Sequence, residues 1–175
     1  MMKFKDGIRV LICATLIMSM WSCKKDDGGA STPENDKYLT CKIDGEYREF
    51  NAKVNANDKP SEEVVHFVVV GGHENDDPLS PGLGLELLVE DGGATTTHYT
   101  SKESNLHGVY YEQTENGTLS YDNGSDDGTG FELTITRLDD WGVAGTFSGV
   151  LRLGAEGEYI KITEGKFSAP YNGNE

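Results

Sequence analysis

The sequence predicts an all-β domain, either an antiparallel β-sandwich or a small lipocalin-like β-barrel. Three observations carry that expectation. Apolar and polar residues alternate at period two in several runs of residues 38–175. Turn-forming dipeptides separate the runs. No stretch of the same region sustains a helical period.

The runs follow in chain order. Leu39, Cys41 and Ile43 share one parity. Residues 64–70 are apolar on both faces and predict a central strand covered on each side. Leu83, Leu85, Leu87 and Val89 oppose Gly84, Glu86 and Glu90. Phe131, Leu133 and Ile135 oppose Glu132, Thr134 and Thr136, and Phe147, Leu151 and Leu153 oppose Thr146, Ser148 and Arg152. Ile160 and Ile162 alternate with Lys161 and Thr163. One polar face in each run marks a strand with one side in water. Turns are expected at Asp44-Gly45, Gly71-Gly72, Gly92-Gly93, Asn116-Gly117, Asn123-Gly124 and Glu164-Gly165. The 22 glycines against 5 prolines suit a chain of many tight turns.

The chain divides into residues 1–22, residues 23–37 and a single domain over 38–175. Lys3, Lys5 and Arg9 precede a short apolar run over residues 10–20, which Trp21, Ser22 and Cys23 close. That run is too short to span a bilayer, which takes about 20 helical residues. The order of zones is that of a secretory signal peptide. With Met20, Ser22 and Cys23 it resembles a bacterial lipoprotein signal, in which the cysteine receives diacylglycerol; Trp21 stands where a smaller residue is usual. The resemblance implies lipidation of Cys23 and attachment to the membrane through its acyl chains, each buried methylene contributing about 0.8 kcal/mol.

Ser22-Cys23-Lys24-Lys25-Asp26-Asp27 resembles the mature start of Bacteroidota lipoproteins, which implies an outer-membrane anchor and display at the cell surface, with a periplasm-facing orientation as the alternative. Residues 24–37 hold no large apolar side chain and read as a flexible tether. Gly145-Thr146-Phe147-Ser148-Gly149, followed by residues 160–167, resembles the last hairpin of small uncharacterised lipoprotein domains in the same bacterial group, many of them sandwich-like or lipocalin-like.

Charge narrows the partners. Thirty acidic and 15 basic residues give a formal −15; removing residues 1–22, with Lys3, Lys5, Arg9 and Asp6, leaves 12 basic and 29 acidic residues, or −17. Such a surface repels nucleic-acid phosphates, whose binding relies on cations that release counterions. It also suits anionic headgroups poorly. Solubility is the plain reading of the acidity; a cation-binding surface or a basic partner is the other.

Candidate chemistry is sparse. Cys41 is the one thiol left after lipidation of Cys23 and loss of Cys13, and its parity reads as a buried apolar position. His66, His73, His98 and His107 show no paired metal-ligand spacing, and His66 reads as a hydrogen-bonded core residue. Two acidic loops stand out, residues 74–77 and 122–128. The second offers calcium oxygens at Asn123, Ser125 and Asp127 before Gly128, although it opens on Asn and Thr134 stands where a closing Glu belongs. A solvated Asp/Asn/Gly turn explains the same residues. Tyr110, Tyr111, Tyr121 and Trp141 are candidate rings for stacking on sugars, or aromatics packed over sheet edges with wet polar tips.

No nucleophile elbow, phosphate loop or dinucleotide fingerprint is present. The expectation is an envelope-anchored, non-enzymatic binding or accessory domain for a glycan or small ligand, with no cofactor unless calcium. A small hydrolase of envelope or extracellular polymers and a protein-interaction or immunity lipoprotein are the alternatives.

Overall fold

The computed structural model describes residues 36–60, 64–124, 128–155 and 157–174, all within the compact unit 33–175. The expected signal peptide, Cys23 and most of the tether lie outside the described residues, as do Ser125 and Asp127.

Among the described residues eleven strands form: β1 (Tyr38–Ile43), β2 (Glu46–Glu49), β3 (Ala52–Ala56), β4 (Phe67–His73), β5 (Gly82–Leu88), β6 (His98–Thr100), β7 (Asn105–Thr114), β8 (Gly117–Asp122), β9 (Gly130–Leu138), β10 (Gly142–Leu153) and β11 (Tyr159–Pro170). All strand pairs are antiparallel. They run β2-β1-β11-β10-β8-β7-β5-β4-β3, with β9 on β10 and β6 on β9. The path ends at β2 and β3 without closing, so the fold is sandwich-like and not a barrel.

β10 joins the two layers. One edge pairs with β11 from Gly142 to Arg152, while the other pairs with β9 as far as Val150 and then with β8 at Arg152 and Leu153. Its far end thereby leads from one layer into the other. The layers meet through side chains that alternation sends inward, among them Leu39, Val70, Leu85, Leu106, Phe131, Phe147 and Phe167. Burying each side chain of this size contributes about 1.5–3 kcal/mol. Phe131 lies under Gly108, where any Cβ would overlap its ring. Phe131, Phe147 and Phe167 form a continuous ring row, with centroids 5.9 and 6.3 Å apart.

Local sequence explains the corners. Asp44 and Gly45 both take positive φ, 50° and 88°, in the two-residue loop joining Ile43 to Glu46. That is the primed hairpin turn an Asp-Gly pair favours. Gly92 and Gly93 also turn at positive φ.

Two expected turns are instead strand. Gly71-Gly72 lies within β4, and Gly72 is there for space: a Cβ would overlap the Phe50 carbonyl and crowd Val54 and Leu39. Glu164-Gly165 is a β-bulge inside β11. The register of β11 slips by one residue against both β1 and β10 here, and Glu164 takes φ 53°. A bulge inserts one residue and resets which face the following side chains occupy. Ile162 and Phe167, of opposite parity, both reach the core, while Lys161, Thr163, Glu164 and Lys166 stay on the outer face.

Residues 64–70 do not form a strand covered on both sides. β4 begins at Phe67, lies between β3 and β5, and buries Val68 and Val70 but leaves Phe67 and Val64 exposed. His66, expected in the core, is exposed; its Nδ1 bonds the Val89 carbonyl at 2.9 Å.

Candidate functional site

The sequence candidates do not converge. Tyr110 and Tyr121 face inward on β7 and β8 with ring centroids 5.9 Å apart, and both are buried. The Tyr110 hydroxyl donates to Glu112 Oε2 at 2.9 Å; burial first, then that hydrogen bond, pushes its ionisation upward. Alternation puts Tyr111 on the opposite face of β7, edge-on to His73 at 5.9 Å. Two of the four rings are therefore unavailable for stacking on a sugar.

Trp141 sits in the turn between β9 and β10, where the Arg137 guanidinium lies 4.5 Å from its ring centroid. Asp139 Oδ1 accepts the backbone N–H groups of Trp141 and Gly142 at 3.0 and 3.2 Å. This ring packs against its own turn and shares no ring contact with the tyrosines among the described residues.

Asn123 is buried, and both ends of its amide are bonded to the β7 backbone, to Gly108 N and Leu106 O. Its side chain is a structural latch; Ser125 and Asp127, the other expected calcium ligands, lie outside the described residues. Among the described residues, no three His, Cys, Asp or Glu side chains gather as a metal site. Cys41 is buried in the core; burial raises its thiol to about 12, against the lowering effect of Arg48. The acidic loop 74–77 is bonded within itself, through Asn75 Oδ1 to Asp77 N and Asp77 Oδ1 to Leu79 N, and Glu74 pairs with Arg48.

The geometry offers a different feature. On the outer face of β9, β10 and β11 lies a trough of about 580 Å³. Its floor presents Gly130, Glu132, Ser148, Val150, Lys161 and Thr163, and the turn Thr100–Glu103 overhangs it. Gly130 makes the hollow: a Cβ there would meet nothing nearer than Ser101 Oγ at 3.9 Å. The overhang is pinned to β9, because Ser101 N donates to the Phe131 carbonyl at 2.9 Å and Phe131 N donates to Ser101 Oγ at 3.0 Å. It is braced internally by Glu103 N and Ser104 N, which both donate to the Thr100 carbonyl. A side chain at Gly130 would occupy the trough without disturbing the ladder.

Two further hollows are less suited. One of about 650 Å³ lies under the other side of the same overhang, beside Asn105, His107 and Asn123. Another of about 590 Å³ lies among Val65, Ala94, Leu138 and Tyr171, with the exposed Lys59–Asp140 pair at 3.1 Å on its rim.

The outward Ser, Thr, Lys and Glu residues of β9–β11 were visible as the polar half of each alternating run. Only pairing shows that they form one surface. What the arrangement offers chemically is a set of neutral and charged hydrogen-bonding groups on a pre-formed concave face. It belongs to an open, two-layer antiparallel β protein. No family model matches the chain, and neither the curated proteins nor the solved structures yield a match.

Proposed function

We propose that the chain is an envelope lipoprotein, held through lipid on Cys23 at the outer membrane, whose β domain binds a glycan or small hydroxylated ligand without turning it over. The trough at Gly130 carries this reading. It is concave, overhung by the hydrogen-bonded Thr100–Glu103 turn and lined by side chains that both donate to and accept from hydroxyl groups. The anchor half rests on the order of charged, apolar and Cys23 zones at the N-terminus.

The test is a glycan-array screen of residues 24–175 beside the Gly130→Phe variant. A ring at that position fills the trough, so bound sugars should lose at least tenfold in affinity while the melting temperature holds. Equal binding by both proteins overturns the trough as the site. Trp141→Ala should leave binding unchanged. For the anchor, Cys23→Ser should release the protein from membranes and abolish palmitate labelling; continued membrane association refutes it.

A hydrolase is the second reading, because Glu103 and Glu132 both line the trough and glycoside cleavage uses two carboxylates. Release of shortened sugars, lost in Glu132→Gln, would favour it over simple binding.

A further inference from the structure

The trough continues along the strands. A second hollow, of about 360 Å³, shares Glu132 and Ser148 with it and extends over Thr134, Thr146, Gly165 and Lys166. Strand register puts the two in line. Moving from Gly130 through Glu132 to Thr134 on β9 passes Val150, Ser148 and Thr146 on β10. On β11 the same path runs from Lys161 to Lys166, and the bulge at Glu164 keeps Thr163 and Lys166 on the same face. In a regular strand over the same residues, with no bulge, Lys166 would share the parity of Ile162 and point inward.

The span from Gly130 to Thr134 is roughly 13 Å at about 3.3 Å per residue. That length suits several linked units rather than one ring. The charge of the groove differs from that of the chain. Lys102, Lys161 and Lys166 balance Glu103, Glu132 and Glu164, whereas the chain carries −15. An anionic polymer would meet three carboxylates within a repelling acidic field, and a polycation would meet three ammonium groups. Uncharged hydroxyls match ammonium donors, carboxylate acceptors and the Thr and Ser hydroxyls between them.

We infer that the two hollows form one groove for a linear, uncharged oligosaccharide lying along the strands. This rests on the glycan reading above and adds ligand shape, length and charge.

The experiment is calorimetric titration with glucose and N-acetylglucosamine oligomers of increasing length, for the wild type, Gly130→Phe and Thr146→Phe. Thr146 is exposed on the outer face in the second hollow, so a ring there blocks that half alone. Wild-type affinity should rise at least tenfold from the dimer to longer oligomers and then level off. Thr146→Phe should keep dimer binding but lose the gain with length. A sugar that binds through Gly130 with no length dependence, or a Thr146→Phe variant that keeps the gain, overturns the groove and leaves the binding function standing. Equal binding of a Gly-Ser peptide, or a preference for acidic over neutral oligomers, also overturns it. Failure of every oligomer to bind overturns both.

Discussion

Asn123 completes the hydrogen-bond ladder of β7 by accepting the Gly108 N–H on its Oδ1 at 2.6 Å. Pairing of β7 with β8 stops at Val109 and Asp122, and the next residue substitutes its side-chain amide for backbone. The Nδ2 group donates to the Leu106 carbonyl at 3.0 Å, so two buried backbone groups depend on one side chain.

Asn123→Ala leaves that donor and that acceptor unpaired, at a cost of about 1–3 kcal/mol for each such group. The expected loss is about 2–6 kcal/mol in urea unfolding. Asn123→Asp keeps the Gly108 bond but buries a carboxylate oxygen against the Leu106 carbonyl, and should be at least as destabilising as Asn123→Ala at neutral pH. Because the wild-type amide is committed to β7, added calcium should not shift the unfolding midpoint. A calcium-dependent rise would restore the loop as a cation site.

Glu164 holds φ 53° at the bulge that sets the two faces of β11. A left-handed conformation costs a non-glycine residue roughly 1–2 kcal/mol. Its ion pair with Lys42, 2.7 Å long, is well exposed and contributes little. Glu164→Gly should therefore stabilise the domain by about 0.5–1 kcal/mol, and Glu164→Val should destabilise it by at least as much. Deleting Glu164 removes the inserted residue and leaves Ile162 and Phe167 four positions apart on one face of a regular strand, so both stay in the core and the deletion should cost far less than removing a residue elsewhere in β11. Denaturant midpoints of the three variants check the order.

Cys41 links stability to alkaline pH. Burial raises its thiol to about 12 in the native protein, above the ordinary value of 9.0. Between those values the unfolded chain releases a proton that the native chain retains, so stability falls as pH rises. The contribution is complete below pH 9 and is lost progressively up to about 12. The slope from one group is at most about 1.4 kcal/mol per pH unit. Cys41→Ala should unfold more easily at neutral pH because of its cavity, yet show a shallower decline above pH 9. Equal slopes in the two proteins would remove the assignment. Ellman's reagent should react with the native protein only as fast as it unfolds.

Much of the fold was legible where a single residue spacing decided the outcome. Leu83, Leu85 and Leu87 sit inward on β5, as do Phe131, Leu133 and Ile135 on β9, because alternation on a half-wet strand has one solution. The Asp44-Gly45 turn was legible for the same reason. Gly71-Gly72 misled because glycine serves close approach as well as turning, and only the Phe50 carbonyl lying over it tells which. Glu164-Gly165 misled because a bulge breaks parity inside a strand with the same residues that end one. Residue type alone groups the tyrosines, but neighbouring Tyr110 and Tyr111 must face opposite sides of β7. The groove was illegible because it joins Gly130, Ser148 and Thr163, which pairing alone brings side by side.

Tyr171 presents the last case, a side chain buried to 1% exposure whose hydroxyl has no hydrogen-bond partner among the described residues. Its backbone N–H donates to the Trp141 carbonyl at 2.9 Å, so the chain end stays fixed whatever the ring carries. Burial first, then the nearby Asp139 and Asp140 charges, raises the phenol and keeps it neutral. A buried hydroxyl without a partner costs about 1–3 kcal/mol relative to water, and Phe keeps the ring while removing that cost. Tyr171→Phe should thus raise stability by about 1 kcal/mol. Tyr171→Ala, which empties the ring's place, should lose about 3–5 kcal/mol. A Tyr171→Phe variant less stable than the wild type would show that the hydroxyl is bonded in solution, and would move the source of stability from the ring to its oxygen.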